Sequence, residues 1–363
     1  MRLSVSTGDD AGGGACPHWS AAGEGWTILV SYAIYPLQFD TPVHFGQAGR
    51  GNQLAQVGMA YPADVLFSAI CVELAAAHET AVLDRFAEKV RTRALLLSDL
   101  LPWQRGSDGA LCFFVPRPVL RLPVDAAQET GDYGEVCRLS SVRKKQKKMK
   151  YLRASHMGAY IQAMRRGAPF SEDADFGTES LRQRVNTRED APLPYYVGQF
   201  DFYADVGLYL LLYLQEEEDA DFVQEILTWL GLTGIGGKRT SGCGKFHCAE
   251  DYILLDGDGI YEDDVALSAL LTNVDAPWQM ALSPVLPEID ALAAVQAGQY
   301  RLRRAGGFIT APAHAEVKKN SIYLLDAGSC FKERICGSLA CLGTHDGHDV
   351  WRYGLGLYAG VTA

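Results

Sequence analysis

Long hydrophobic runs are missing from this sequence of 363 residues. No apolar stretch reaches the roughly 18 residues that a membrane-spanning helix needs. The longest one, Val206–Leu214, has the length of a strand. Residues 1–22 also lack the basic start and apolar core of a secretory signal peptide. These absences predict a protein of the cytoplasm that has no contact with a membrane.

Cysteine pairs at metal-ligand spacing are missing as well. Nine cysteines are scattered along the chain, which favours reduced thiols over a disulfide framework. One group contains residue types that ligate zinc, but no C-x₂₋₄-C pair occurs in it. The group consists of Cys330, Cys336, Cys341, His345 and His348. We therefore expect buried thiols in strands, and we assign no metal ligand and no cofactor.

Positive charge is scarce overall, since 33 Lys and Arg stand against 44 Asp and Glu and the formal net charge is −11. Taken alone, this total argues against nucleic acid as a partner. The cations are nevertheless concentrated in Arg143–Arg153, which holds seven of them and no acid. A surface that binds a phosphate backbone needs a local positive patch rather than a positive total. The run therefore predicts either a surface that contacts RNA or a neighbouring subunit, or a solvated helix face.

The most informative segment is the glycine loop, Gly234–Phe246, which contains five glycines, three cations and two hydroxyls. Glycine lets a backbone approach a ligand closely, and successive free amides form a concavity that binds anions. The loop has neither the spacing of a Walker loop nor the strand-to-helix order of a Rossmann turn. It therefore predicts a seat for a phosphodiester backbone, with a flexible or packing loop as the alternative.

Hydrophobic periodicity predicts the order strand, helix, strand, insertion, strand, helix, glycine loop, strand, which is the β-α-β-β-α-β order of a ferredoxin-like unit. The strands are predicted at 26–36, 95–101, 111–115, 195–203, 206–214 and 245–255, and the helices at 62–77, 80–91 and 221–230. A weaker repeat follows, with strands at 278–283, 299–304, 322–325 and 350–357 and a helix at 288–297.

The predicted fold class is therefore α+β, with two ferredoxin-like (RRM-like) domains. A disordered tail is expected at 1–24, and the N-terminal domain at 25–256 carries an insertion at about 117–190. The glycine loop at 234–246 belongs to this domain. A linker and a variable stretch are expected from 256 to 274, before a degenerate C-terminal domain at 275–363.

Four parts of the chain resemble the RAMP superfamily of CRISPR proteins and, within it, the family of fourth subunits of the Csm (type III-A) interference complex. They are 41–46 with 64–69, the basic run at 144–151, the glycine loop at 236–246, and 304–308 with 328–329 and 348–354. The glycine loop alone is typical of the superfamily. The fourth part, in this order and spacing, indicates the subunit family. The resemblance extends over most of the chain, from about 26 to 361.

The resemblance implies that the chain binds RNA without cutting it. A member of this family holds the repeat-derived 5′ tag of the CRISPR RNA, caps the filament of backbone RAMP subunits and docks the large polymerase-like subunit. The insertion would be the family's thumb, which bends the guide. One departure is the sequence Arg-Val-Asn-Thr-Arg at 184–188, where many members have an Asp-Arg pair, so that only the cation of Arg188 is kept.

His44 has three possible roles: it stacks on or hydrogen-bonds a tag nucleotide, it acts as a general base, or it is structural. Arg352 lies on a strand among aromatic residues, so a structural cation–π role competes with RNA contact. The residues assigned to RNA are His44, Gly46, Arg50, Lys144, Lys145, Lys147, Lys148, Arg188, Gly234, Gly236, Gly237, Lys238, Arg239, Ser241, Gly242, Gly244, Arg304, Gly306, Gly307 and Arg352.

No catalytic residue is assigned, and two classes of function remain. The first is a non-catalytic subunit of a guide-RNA ribonucleoprotein, with the equivalent subunit of the Cmr (type III-B) complex as a close variant. The second is a RAMP endoribonuclease that processes precursor CRISPR RNA with His44 as the base.

Overall fold

The computed structural model of the chain describes residues 31–46, 54–123, 148–186, 193–255, 258–309, 317–345 and 348–363, with isolated positions between 134 and 146. The predicted tail at 1–24 lies outside the described residues. The architecture is mixed α/β, and the strand pairs within the described ranges are antiparallel. No helix in these ranges is long and apolar enough to cross a membrane.

The first part of the described chain is built around one large sheet. Its strands and the short hairpins beside it are β1 (Ser31–Phe39), β2 (Phe45–Gly46), β3 (Val57–Gly58), β4 (Leu95–Arg105), β5 (Leu111–Pro116), β6 (Tyr151–Arg153), β7 (Gly177–Asn186), β8 (Leu193–Phe202), β9 (Val206–Leu214), β10 (Phe246–Cys248) and β11 (Ile253–Leu254). The sheet has the order β10-β1-β9-β4-β5-β6, and β11 also pairs with β1. All nine residues of β9 are buried, as expected for a central strand.

The helices within the continuously described ranges are α1 (Ala63–Ala76), α2 (Thr80–Arg91), α3 (Met157–Arg165), α4 (Asp219–Thr233), α5 (Glu262–Thr272) and α6 (Leu292–Gln296), with short 3₁₀ turns at 154–156, 239–241 and 289–291. The apolar faces of α1 and α4 join one buried cluster with the central strands, for example through Leu66 and Leu227. This shared cluster places the end of α4, and therefore the glycine loop, beside the end of β1.

The C-terminal part forms a smaller sheet and several hairpins. Its strands are β12 (Trp278–Ala281), β13 (Leu302–Ala305), β14 (Phe308–Ile309), β15 (Val317–Lys318), β16 (Ile322–Leu325), β17 (Cys330–Phe331), β18 (Ala340–His345), β19 (His348–Arg352) and β20 (Tyr358–Val361). The order β17-β12-β20 makes the small sheet, while β13 pairs with β16 and β18 with β19.

A bulge in β4 joins the two parts of the chain. The register between β4 and β9 shifts between Leu97 and Leu100, which frees Ser98 and Asp99 from regular pairing. Ser98 Oγ accepts the Leu211 amide at 3.0 Å, and the Asp99 amide donates to Leu282 O at 2.9 Å. Asp99 Oδ1 also accepts the first amide of α1 at 2.8 Å. One irregularity therefore connects the sheet, α1 and the C-terminal part.

Asp64 in the first turn of α1 anchors the C-terminal hairpins. Its carboxylate is fully buried and lies 2.7 Å from Arg303 Nη2 and 2.8 Å from Arg352 Nη1. Arg352 is 3% exposed, and its Nη2 donates to Gly306 O at 2.8 Å. Because these acceptors occupy the Arg352 guanidinium, the geometry favours a structural role for this residue through an ion pair.

Two regions differ from the pattern expected from the sequence. The stretch from 256 to 274, expected as a linker and variable segment, contains α5, in which Asp263 is buried and accepts Arg153 Nε at 2.8 Å. The insertion at 117–190 does not simply project from the core as expected, because Leu152 and Met157 within it are buried in the main cluster. The bounds of the two domains remain predictions.

The cysteines are mostly free thiols, as expected. Seven cysteines in the described part of the chain are free, but Cys336 takes part in a disulfide, so the expectation of reduced thiols is wrong there. The described residues contain no group of three His, Cys, Asp or Glu that could hold a metal ion.

The Arg352→Ala substitution is expected to lower the free energy of unfolding by about 3 kcal/mol, because it leaves the buried Asp64 carboxylate with one fewer cation. Urea denaturation followed by circular dichroism measures the change. The control is Arg304→Ala, an exposed cation in the same region, for which a change within about 0.5 kcal/mol is expected. Equal losses in the two variants would contradict the anchoring role.

The pKa of Asp99 makes the stability of the protein depend on pH. Burial is the largest cause that raises the pKa of Asp99 to about 8; Arg303 and the hydrogen bond from the Ala63 amide lower this pKa, and Asp326 and Asp64 also raise it. The folded state therefore holds a proton that the unfolded chain, with a pKa of about 3.9, releases. Because the folded state binds this proton and the unfolded chain does not, the free energy of unfolding falls as the pH rises from about 4 to about 8.

The Asp99→Asn substitution keeps the acceptor for the α1 amide and removes the titrating group. The stability of the variant relative to the wild type is expected to increase between pH 5.5 and pH 8.5. Urea denaturation at several pH values measures this difference. A difference in stability between the variant and the wild type that does not change with pH would overturn the raised pKa of Asp99.

Candidate nucleic-acid interface

The glycine loop begins where α4 ends. Gly234 has a φ of 82°, a conformation that side chains rarely adopt, and its amide donates to Leu230 O at 2.8 Å. The backbone then turns away from the helix axis and runs towards the end of β1. Gly234 thus lets a helix and an edge strand of the sheet meet through a short connection.

Most amides of the loop are already bonded within the protein. The amide of Gly237 donates to His44 O and that of Gly244 to Pro42 O, each at 2.9 Å. The amides of Ile235, Ser241, Gly242 and Cys243 donate to carbonyls of the loop itself. Because buried amides need partners, these bonds hold the loop in shape instead of leaving a concavity of free amides at these positions.

The glycines allow close packing against the segment before β2. A Cβ atom at Gly237 would lie 2.6 Å from His44 Cδ2, and one at Gly236 would lie 2.7 Å from the Phe45 ring. Gly234 and Gly244 are also in backbone contact with the loop itself, whereas Gly242 faces open space. The packing alternative is therefore observed for part of the loop, and the exposed part remains available to a ligand.

His44 lies beneath this contact and is 7% exposed. Its Nδ1 atom lies 2.7 Å from Gly198 O, which can only accept, so Nδ1 carries the proton. No carboxylate within the described ranges makes a hydrogen bond to the ring. A general base needs access to its substrate, so the geometry favours the structural role for His44.

The hairpin of β7 and β8 extends from the same place. It is paired over ten positions, and its base is held by two 2.9 Å hydrogen bonds between Val43 and Phe200. The Gln199 amide group lies 3.0 Å from Cys243 Sγ in the glycine loop. Farther along, Leu181 and Val185 are 61% and 52% exposed. The hairpin and the glycine loop are thus joined at their bases, and the apolar residues beyond the base face solvent.

The loop's cations differ in how far their charge is neutralised. Arg239 Nη1 lies 3.3 Å from Glu73 Oε2, so its charge is shared with α1. Lys238 Nζ lies 5.7 Å from the ring centroid of Tyr195 on β8 and has no acidic partner among the described residues. Lys245 and Ser241 are exposed. The outer face of the loop therefore presents cations and a hydroxyl next to an aromatic ring.

The remaining predicted residues are spread over other surfaces. Lys144 and Lys148 are exposed on the basic run, as is Gly46 at the end of β2. Arg304, Gly306 and Gly307 are exposed in the C-terminal part, where Arg304 Nη2 donates to Ser321 Oγ at 3.3 Å. Predictions for Arg50, Lys145, Lys147 and Arg188 lie outside the described residues. The structure brings together His44 and the glycine loop, but it does not bring Arg352 to a surface.

Sequence reasoning missed the part of β8 that completes this region. Gly198 accepts from His44, and Tyr195 lies beneath Lys238. A Cβ atom at Gly198 would lie 2.5 Å from Ala55 O, so this strand glycine marks a close backbone approach. The signal available in the sequence was Gly198, a glycine within a strand that is rich in aromatic residues.

Replacing Lys238 and Arg239 together by alanine is expected to reduce the slope of log K against log salt for RNA binding by about 0.7 to 1.4, because each phosphate contact on a single strand contributes about 0.7 and Glu73 partly neutralises Arg239. Fluorescence anisotropy over a range of salt concentrations measures the slope. The control is Arg91→Ala with Arg165→Ala, which removes two exposed helical cations outside the loop. Identical slopes in both double variants would exclude phosphate contact at the loop.

The comparison with protein families identifies the C-terminal part of the chain. Residues 274–361 match the family model described as the CRISPR Csm4 C-terminal domain. This match covers the small sheet and the hairpins that carry Arg303 and Arg352.

Solved structures share the fold at low sequence identity. A chain of a Csm3–Csm4 subcomplex in the type III-A CRISPR-Cas interference complex is similar with a TM-score of 0.55 and 16% identity, over 91% of this chain and 99% of that one. A chain of a Csm1–Csm4 cassette with cA4 gives a TM-score of 0.51 and 18% identity, over 92% and 98%.

Curated relatives extend over nearly the whole chain. The CRISPR system Cms protein Csm4 of Streptococcus thermophilus is 26% identical over 312 residues, which cover 85% of this chain and 92% of that protein. The protein of the same name from Mycobacterium tuberculosis is 31% identical over 336 residues, which cover 90% and 96%. This identity over nine-tenths of the sequence shows that the chain belongs to the Csm4 family of CRISPR proteins.

Proposed function

We propose that this chain is a non-catalytic CRISPR RNA-binding subunit of a type III-A effector ribonucleoprotein in antiviral defence. It holds the repeat-derived 5′ tag and bridges the large polymerase-like subunit to the backbone RAMP subunits. Family membership supports this place in the complex, since solved relatives were obtained in a Csm1–Csm4 cassette and a Csm3–Csm4 subcomplex. The cytoplasmic location is part of the proposal.

The topology supports the finer fold assignment. If β1, β4, β9 and β10 are taken as the four strands of a β-α-β-β-α-β unit, their order in the sheet is fourth, first, third, second. The helices α1 and α2 then connect the first strand to the second, and α4 connects the third to the fourth, as the ferredoxin-like unit requires. The insertion at about 117–190, which contains β7, falls between the second and third of these strands, which supports its assignment to the thumb.

One observation supports RNA as the ligand most strongly. The outer face of the glycine loop places Lys238 without an acidic partner among the described residues beside Tyr195, while the hydrogen bonds beneath it hold the loop in position. Single-stranded nucleic acid is bound by such combinations of cations for the phosphates and aromatic rings for the bases. A local surface of this kind is sufficient despite the acidic total of the chain.

The position of His44 supports RNA binding rather than RNA cleavage as the function. RNA cleavage with His44 as the base would need the ring to reach a ribose hydroxyl, directly or through one water. The ring is instead packed beneath Gly237 and hydrogen-bonded to Gly198. Its removal is therefore expected to loosen the junction between the glycine loop and the hairpin.

The proposal is tested by purifying the tagged chain from cells that carry its CRISPR array and neighbouring genes. Sequencing of the bound small RNAs is expected to give a common 5′ segment derived from the repeat, with Csm1 and Csm3 proteins in the same preparation. Recovery of random cellular RNA, or of no RNA, would contradict the tag-binding role.

The endoribonuclease alternative is tested with purified protein and precursor CRISPR RNA. No cleavage is expected from the wild type, and His44→Ala is expected to weaken RNA binding without any change in RNA length on a denaturing gel. Cleavage by the wild type that disappears in His44→Ala would establish the nuclease instead.

A further inference from the structure

A cleft of about 610 Å³ lies between the two parts of the chain, and none of its lining residues belongs to the glycine loop. Its lining includes Pro116 and Arg117 with the segment 148–151, and Arg301 and Arg303 with the turn at 326–327. The bulge of β4 and the start of α1 supply the rest of the lining. Clefts of roughly 300–1,000 Å³ are typical of small-ligand sites.

Cations predominate in this cleft even though the whole chain is acidic. Arg117, Lys148, Lys150, Arg301 and Arg303 line it, against the two carboxyl groups of Asp99 and Asp326. A concave surface of one charge sign concentrates ligands of the opposite sign. The lining therefore favours an anion.

Three of these cations have no carboxylate partner among the described residues. Arg117 is half-buried, and neutral groups hold its guanidinium: Nε donates to Met149 O at 3.0 Å, and Nη1 to the Tyr160 hydroxyl at 3.4 Å. Lys148 and Lys150 are exposed and make no ion pair within the described ranges. A guanidinium positioned by neutral acceptors keeps its full charge for a ligand.

The acids in the cleft neutralise little of this charge. Asp326 is shared by Arg303 at 3.2 Å and Arg301 at 3.8 Å. Burial raises the pKa of Asp99 to about 8, so this group is mostly protonated at neutral pH. The positive charge of Arg117, Lys148 and Lys150 therefore remains largely uncompensated.

A second cleft of about 360 Å³ continues the first towards the base of the hairpin. The two share Ala60 and the segment 148–151, so they form one groove. Phe176 and Phe200 line the second cleft together with Glu172 and Glu179, and Tyr151 lines both clefts, as do the cations Lys148 and Lys150. Aromatic faces and backbone-tracking cations along one groove are the combination that binds single-stranded nucleic acid.

We propose that this groove binds single-stranded RNA and seats one nucleotide in the larger cleft. Arg117, Lys148 and Lys150 face the phosphates of the strand, and the base lies against Tyr151. The inference rests on the proposed RNA-binding function and adds a second contact surface, separate from the glycine loop. A free mononucleotide has the same chemistry as the seated unit, so the experiment has to separate the two sources.

The test compares two double variants of the full chain. Lys148→Ala with Lys150→Ala removes two exposed cations from the groove, and Arg91→Ala with Arg165→Ala removes two exposed cations elsewhere. The slope of log K against log salt for single-stranded RNA is expected to fall by about 1.4 in the groove variant, because each of the two phosphate neutralisations contributes about 0.7. The control slope is expected to equal that of the wild type.

Photocrosslinking of RNA that contains 4-thiouridine locates the contact. Crosslinks are expected in the tryptic peptide that begins at Tyr151, and excess UMP is not expected to abolish them. Equal slopes in both double variants, or the absence of a crosslink to this peptide, would overturn the groove. Loss of the crosslink with UMP at unchanged RNA affinity would assign the cleft to a free nucleotide and also overturn the proposal.

RNA binding by the two double variants and by the wild type distinguishes a failure of the groove from a failure of the proposed function. If Lys238→Ala with Arg239→Ala weakens RNA binding and the groove variant does not, the groove fails and RNA binding by the chain stands. If the wild type binds no RNA, the proposed function itself fails.

Discussion

The buried carboxylate of Asp64 sets the arrangement of the whole molecule. It lies in the first turn of α1, and both of its arginine partners come from the C-terminal part of the chain. An unpaired charge in this position would be strongly destabilising, so the C-terminal hairpins have to pack where Arg303 and Arg352 reach it. Arg303 also lines the larger cleft, so the same ion pair positions one wall of the proposed RNA groove.

Local patterns predicted the regular elements well. The helix at Thr80–Arg91 and the strands at Val206–Leu214 and Ile322–Leu325 have the bounds expected from periodicity. The helix Glu262–Thr272 was missed because its first turn holds three acids, a composition that is typical of a solvated linker. In the structure, Asp264 accepts the amides of Ile260 and Tyr261, and Asp263 binds Arg153 across the fold. Such long-range partners cannot be predicted from local composition.

The candidate site was predictable in part. Glycine spacing and the order helix, loop, strand located the loop, since both are local properties of the sequence. The occupied amides were not predictable, because their acceptors at Pro42 and His44 are distant in the sequence. Charge alone also failed to distinguish Arg352, which is buried in an ion pair, from Arg117, which is held by neutral acceptors in an open cleft. The difference lies entirely in the partners that folding provides.

The hydrogen bonds that occupy the glycine loop's amides have a thermodynamic consequence for recognition. Because these bonds hold the loop in one conformation before any ligand arrives, binding does not have to order it, and little conformational entropy is lost. Recognition can then rely on a few weak electrostatic and stacking contacts. A preorganised surface of this kind suits the proposed role, in which the subunit accepts the same short RNA segment whatever guide sequence follows it.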